Sequence, residues 1–300
     1  MAFSNGNKSS DGISIKRYIG VGSVGILAVN PDKKTLESIY NSQLENEPQY
    51  VGVIEAGEDK HKVANARIDF IVKTDPEKCN DIEMVTKVTF FIRNEYRYNR
   101  DRSKVQVIDK YGRTAWVTVE QAKAHEIPVY KNGPANIDVD YRPAYYGEEE
   151  LTDFIKKYLN IDEVMQYVNK TWVMVKNTED CEARLEHIAD YFKGDFSELK
   201  DLIDLQPENR IKVLFGVKTN DDNKQFQAVF TQMFLKNFVT NYSKLDAAVQ
   251  ERKNAGAYAN TEFAVCDLKE YVVEATNFAA APDNNPFPPA SNDNPWGFNS

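Results

Sequence analysis

Three hundred residues, 42% hydrophobic and 28% charged, make one large domain or two ordinary ones and exclude both a fibrous repeat and disorder throughout. The net charge is −9, from 37 Lys and Arg against 46 Asp and Glu, and as an average it argues against a coat for nucleic acid. Cys79, Cys181 and Cys266 are odd in number and far apart, which fits a reducing compartment and excludes a disulfide scaffold.

No apolar run reaches the roughly 18 residues that cross a bilayer. The opening Met1-Ala2-Phe3-Ser4-Asn5-Gly6-Asn7-Lys8 lacks the order of a signal peptide, so a cytoplasmic protein is expected. Residues 1–12 are polar and read as a flexible N-terminus. Ile13 to Val29 reads as a strand, and Asn30-Pro31 as a helix cap followed by Pro at the first helical position. Leu36, Ile39 and Tyr40 would lie on that helix. Arg67 to Lys73 and Met84 to Arg93 are strands, and a turn falls near Asn99-Arg100-Asp101. Val105 to Ile108 and Ala115 to Val119 resume the β pattern, so this region reads as a long basic hairpin reaching out from a sheet.

Helical spacing of Leu151, Phe154, Ile155, Tyr158 and Leu159 predicts one or two helices over Glu148 to Val168. Two more are expected over Glu182 to Phe192 and Phe196 to Leu205, which makes a helical insertion of about 148–208. Ile211 to Val217 and Phe226 to Phe234 form a hairpin through Thr219-Asn220-Asp221-Asp222-Asn223. Ser243 to Asn254 is a helix ended by Gly256, and Glu262 to Glu274 is the last strand. Residues 275–300 contain no Lys or Arg and five of the twelve prolines, the composition of a disordered tail. Strands do not alternate with helices, so a doubly wound sheet is not expected. The expected fold class is α+β, mainly β with α insertions: a small antiparallel barrel over 13–274 as a single domain.

The charge is unevenly spread. Lys87 to Arg113 holds eight bases (Lys87, Arg93, Arg97, Arg100, Arg102, Lys104, Lys110, Arg113) against Glu95, Asp101 and Asp109. Tyr96, Tyr98 and Tyr111 are interleaved with them, and Trp116 follows. Cations neutralise phosphates and rings stack on exposed bases, so this segment is the candidate groove for a single strand. The other reading is a strand whose solvated face alternates with a buried one. Lys16, Arg17, Tyr18, Tyr141, Arg142, Tyr145 and Tyr146 form a weaker second set. Thr178 to Glu208 holds ten acids against three bases, which predicts a repelling side away from the binding side.

Motifs for chemistry lack their context. Gly20-Val21-Gly22-Ser23-Val24-Gly25 has the dinucleotide spacing, but the chain continues as β instead of opening a helix. A bent or bulged strand is expected there. Asp138 and Asp140 could hold a metal, yet Gly133-Pro134 and Arg142-Pro143 place them on a loop. His61, His125 and His187 are scattered, and there is no CxxC, HxxxH, Walker loop or GxSxG. No cofactor, metal or enzymatic activity is expected.

A β-rich core, a basic-aromatic segment and a tail ending Asp293-Asn294-Pro295-Trp296-Gly297-Phe298 together resemble the single-stranded DNA-binding proteins of bacteria and phages. The stretches Lys16 to Gly22, Val105 to Arg113 and Asn132 to Asn136 are similar to a replication-module protein of crAss-like gut bacteriophages. The resemblance implies an OB-like barrel that coats single-stranded DNA without sequence preference in phage replication or recombination, in the cytoplasm of the bacterial host. It further implies that Asp293, Pro295, Trp296 and Phe298 bind replication or recombination proteins. The tail departs from the family in ending Asn299-Ser300 and in having Asp283 and Asp293 as its only acids. The alternatives are a structural or scaffold protein of the virion, and a metal-dependent nucleic-acid enzyme built on Asp138 and Asp140.

Overall fold

The computed structural model describes residues 15–127, 129–130, 133–134, 137–161, 163–168, 171–177 and 184–273. The expected flexible N-terminus (1–12), Cys181, and the tail of 275–300 with Asp293, Pro295, Trp296 and Phe298 lie outside the described residues. The chain is mainly antiparallel β with a few helices, an α+β arrangement.

The first part runs β1 (Ile15–Val29), α1 (Lys33–Tyr40), β2 (Val51–Ala56), β3 (His61–Thr74) and β4 (Val85–Tyr96). Next come β5 (Lys104–Asp109), β6 (Thr114–Thr118), α2 (Val119–Ala124), β7 (Val129–Tyr130) and β8 (Gly133–Pro134). They are followed by β9 (Tyr141–Pro143), β10 (Tyr145–Tyr146), α3 (Glu148–Tyr158), β11 (Glu163–Val168), β12 (Thr171–Asn177) and α4 (Ser197–Asp204). The last part is β13 (Ile211–Thr219), β14 (Gln225–Val229), β15 (Leu235–Lys236), α5 (Ser243–Asn254), β16 (Thr261–Phe263) and β17 (Lys269–Val273). The largest sheet has the order β10-β4-β3-β1-β13-β14, with β2 on β3, β15 and β16 on β13, and β17 on β1. The order β6-β5-β9 makes a second sheet, and β7-β8 and β11-β12 are hairpins. Two compact units divide the chain: Met1–Gln49, Asp69–Thr89 and Ile203–Ser300 in one, Tyr50–Ile68 and Phe90–Leu202 in the other.

In the first unit β1 changes partner along its length. Ile15 to Ile19 pair with β17, Gly20 to Val24 with β13, and Val24 to Val29 with β3. The glycine pattern lies wholly within this strand, and the expected irregularity is a register shift between Ile26 and Ala28. Gly20 sits where the partners change, with φ +134°, and a Cβ there would lie 2.7 Å from the Asp267 carbonyl oxygen. Asp32 caps α1 by accepting from the Thr35 amide at 2.8 Å. Asn30, the expected cap, has φ 42°, and its side-chain oxygen instead accepts from the Asp69 amide at 2.7 Å. The expected last strand is two strands. β16 pairs with β13 and β17 with β1, and the chain crosses between them as the Val21 amide donates to Cys266 O at 2.7 Å. The β13-β14 hairpin and α5 form as expected, but β14 ends at Val229, short of the expected Phe234. Val21, Leu214, Phe230, Leu245, Val249 and Phe263 close a core between these strands and α5.

In the second unit β2 pairs with the start of β3, from Val51↔Ala66 to Ala56↔His61. β5 pairs with β6 on one edge and β9 on the other. Val105, Val107, Ala115, Val117, Ile137 and Tyr141 form the core of that sheet. The basic-aromatic segment is therefore not one long hairpin reaching outward. Every residue of β5 after Lys104 is buried, and desolvation of Val105, Val107 and Ile108 holds the strand in the body of the unit. What remains of the hairpin is short: a bridge at Tyr98↔Val105 closed by the expected turn.

The insertion is less helical than its spacing implies. α3 buries Leu151, Phe154, Ile155 and Tyr158 as expected, then stops before Asn160 at φ 57°. Glu163 to Val168 is a strand, because Thr171–Asn177 supplies a pairing edge that outweighs local preference. Between Arg184 and Phe192 the expected helix is replaced by a 3-10 turn over Ile188–Lys193. Competing partners take its backbone groups. The Glu198 carboxylate accepts from the amides of Glu186 (2.8 Å) and His187 (3.1 Å), and Arg142 donates to the Leu185 carbonyl at 2.7 Å.

Candidate nucleic-acid interface

All of the expected DNA-binding residues lie in the second unit. The turn that follows β4 is built by polar side chains. Asp101 accepts from the Ser103 amide (3.0 Å) and hydroxyl (2.6 Å), and Asn99 accepts from the Lys104 amide at 2.8 Å. The Ser103 hydroxyl, and then its amide, hold the Asp101 carboxyl below its usual range. Arg102 takes φ 57° and lays its guanidinium over the Tyr98 ring at 5.0 Å. Arg100 and Lys104 are exposed on either side.

Pairing of β10 with β4 creates the aromatic surface. Tyr145 stands opposite Tyr96 and Tyr146 opposite Arg93. The register brings the Tyr96 and Tyr145 rings to 5.2 Å and seats Arg93 over Tyr146 at 4.4 Å. Phe192 packs edge-on to Tyr145 at 5.3 Å, and Arg142 lies 5.9 Å from the same ring. Tyr96 remains 41% exposed at the open end of this row. Burial, then the neighbouring Tyr96, raise the Tyr145 phenol above its usual pKa.

Arg97 and Trp116 form another cation–ring pair, at 5.8 Å. Here the cation is already answered, since Arg97 donates to Glu149, and Gln106 donates to the same carboxylate oxygen at 2.8 Å. Lys110, Tyr111 and Arg113 gather at the far end of β5, about 17 Å from Lys104 at roughly 3.3 Å per residue. Both Lys110 (5.1 Å) and Arg113 (5.0 Å) approach the Tyr111 ring. Arg113 also donates to the fully buried Asp109 at 2.7 Å, and Lys110 reaches Asp138 at 4.0 Å. The expected site thus separates into two groups. Among the described residues, Arg93, Arg100, Arg102 and Lys104 form no ion pair with an acid, whereas Arg97, Lys110 and Arg113 do.

The second candidate set divides as well. Tyr18 and Tyr141 are buried core rings that no base can reach, and the Tyr141 hydroxyl donates to Gln121 O and Glu126 O. Arg17 is buried and donates to Gln225 O. Arg142 grips the buried Glu148 with both terminal nitrogens, at 2.9 and 2.6 Å, and so fixes the start of α3. Tyr145 and Tyr146 belong to the interface. Sequence reasoning missed Phe192, Gln106, Thr114 and Glu149. The Tyr-Tyr doublet was a signal, but Phe192 sits in the acid-rich stretch, where nothing local marks it.

That acid-rich stretch is not kept on a separate side. Arg184 donates its amide to Lys110 O at 3.2 Å and a terminal nitrogen to Asp140 O at 3.0 Å, while Phe192 packs on Tyr145. Part of it is thus built into the same surface as the basic segment. Asp138 and Asp140 lie on a loop as expected, where Asp138 accepts from the Asp140 amide at 2.9 Å. Comparison of the chain with protein-family models, curated proteins and solved structures found no match. No described helix is long and apolar enough to cross a membrane.

Proposed function

We propose that the chain binds single-stranded DNA without sequence preference, through the surface formed by β4, β10 and the turn at Asn99–Lys104. One observation carries the reading: the β10-β4 register sets Tyr96 against Tyr145 and Arg93 against Tyr146, and the Tyr146 hydroxyl, donating to Tyr98 O at 3.3 Å, ties this row to Tyr98, over which Arg102 of the cationic turn lies. Rings at a surface edge stack only on unpaired bases, and cations with no acid partner are open to phosphate. An OB-like barrel, and a role in phage replication or recombination in the host cytoplasm, are part of this proposal and rest on the sequence resemblance. So does docking of replication proteins on Asp293, Pro295, Trp296 and Phe298.

Fluorescence anisotropy with oligo-dT and with duplex of equal length, each across salt, tests the reading. Four neutralised phosphates give a log-log salt slope near −3, at about −0.7 per phosphate. Binding that is flat with salt, or equal for single and double strands, contradicts the proposal and returns the scaffold reading. Trp296→Ala with Phe298→Ala should leave that binding intact and reduce capture of replication proteins in a pull-down.

A further inference from the structure

Three donors from three places converge on the Glu149 carboxylate. Arg97, just after β4, and Gln106 on β5 both donate to Oε2, the latter at 2.8 Å. Thr114 on β6 donates its hydroxyl to Oε1 at 3.3 Å. The donors are held in place. Gln106 is 3% exposed, and its Oε1 accepts from Arg97 at 3.1 Å, which turns its amide nitrogen toward the carboxylate. The backbone beneath is a closed set of bonds: Arg97 N to Ala144 O (2.9 Å), Ala144 N to Gln106 O (2.9 Å) and Gln106 N to Arg97 O (2.8 Å). One guanidinium, one amide and one hydroxyl aimed at a shared point make an oxyanion site. The Trp116 ring beside Arg97 offers a flat face next to it.

The carboxylate that fills the site is removable. The Arg97 and Glu149 side chains are 30% and 41% exposed, so water and solutes reach the pair. A half-exposed ion pair of this kind is weak. Glu149 sits on the first turn of α3, whose start is fixed separately by Glu148 on Arg142. Its side chain can swing away without moving the helix.

We infer that Arg97, Gln106 and Thr114 form a binding site for a backbone phosphate, which Glu149 occupies as an internal competitor until nucleic acid displaces it. The inference rests on the single-strand reading above and deepens it. Glu149 would set the affinity of the surface and let the strand be released readily.

The test is anisotropy on the full chain with oligo-dT across salt, for wild type, Glu149→Gln, Arg97→Gln and the double variant. Glu149→Gln should bind about two- to fivefold tighter, the strength of one weak surface pair. Its salt slope should stay near the wild-type value, because the same phosphate is bound in both chains and only the competitor is gone. Arg97→Gln alone should make the slope shallower by about 0.7, one phosphate lost, and in the double variant the gain should vanish. A Glu149→Gln chain that binds like wild type or more weakly overturns the inference while the proposed function stands. Glu149→Ala replaces Glu149→Gln if the latter melts early, with the same expected gain. If wild type shows no salt-dependent single-strand binding, the proposed function fails, and the site is then read by thermal shift with tripolyphosphate. Stabilisation of Glu149→Gln that is lost in the double variant supports the site, and no stabilisation overturns it.

Discussion

Asp109 gathers five donors at one buried carboxylate: two nitrogens of Arg113 and the amides of Tyr111, Arg113 and Asp138. Arg113 therefore serves the fold before it serves any ligand. Arg113→Ala would leave a buried charge without its cation, at a cost of about 3–5 kcal/mol. The expected outcome is a large fall in the urea midpoint, with folded protein that still binds single strands through the other end of β5. An unchanged midpoint with a tenfold loss of affinity would show that Arg113 contacts phosphate instead. Tyr96 is the opposite case, because its ring is open and borders other rings. Tyr96→Ala should cost on the order of 1–3 kcal/mol in binding and less than about 1 kcal/mol in stability. Measured together by anisotropy and urea unfolding, the two variants separate the cations that bind from those that brace.

At the scale of elements, the site depends on β10 and the start of α3 holding their places against β4. Gly147 joins them with φ +87°, and a Cβ there would fall 2.0 Å from the Phe91 carbonyl oxygen on β4. Gly147→Ala must push β10 off β4 or distort α3. It should cost more than about 2 kcal/mol, since the left-handed conformation alone costs roughly 1–2. Single-strand binding should fall with it, because Tyr145 and Tyr146 lose their register. Wild-type binding and melting in Gly147→Ala would show that the register does not matter. The same dependence on pairing explains which parts of the chain were legible in its sequence. β1, β3, β4, β13, β14, α3, α4 and α5 carry their own periodicity and were readable from it. β2, β11 and β12 were not: each pairs with the strand next to it in the chain, and cross-strand pairing outweighs the weak alternation of its own residues. For the candidate site, residue types were legible and partners were not: nothing near Arg97 names Glu149, and nothing near Phe192 names Tyr145.

For the whole molecule, the clearest pH response comes from buried phenols in both units. Tyr40 and Tyr191 are both pushed well above the ordinary tyrosine range, chiefly by burial, with Asp69 adding to the first and Glu198 to the second. Burial also raises Tyr258. In each case the folded state favours the neutral phenol, so the folded pKa lies above the unfolded value of about 10. That contribution is complete below pH of about 10 and is lost as the pH rises toward the folded values. Stability should therefore hold through pH 8–9 and fall steeply above about 10, by up to roughly 1.4 kcal/mol per pH unit for each phenol. The exposed carboxylates Asp59, Asp101 and Asp195 are held below their usual range by hydrogen bonds, and they act at the other limit: what they add is present above about pH 4 and fades as pH falls further. Urea midpoints at pH 7, 9, 10.5 and 11.5 measure the alkaline limb directly. Tyr40→Phe and Tyr191→Phe should each make the decline shallower. The Tyr191 variant should start from a slightly lower plateau, because its hydroxyl donates to Glu198 at 3.3 Å in the native chain. A decline equally steep in both variants would mean that these rings do not ionise on unfolding and that another group sets the alkaline limit.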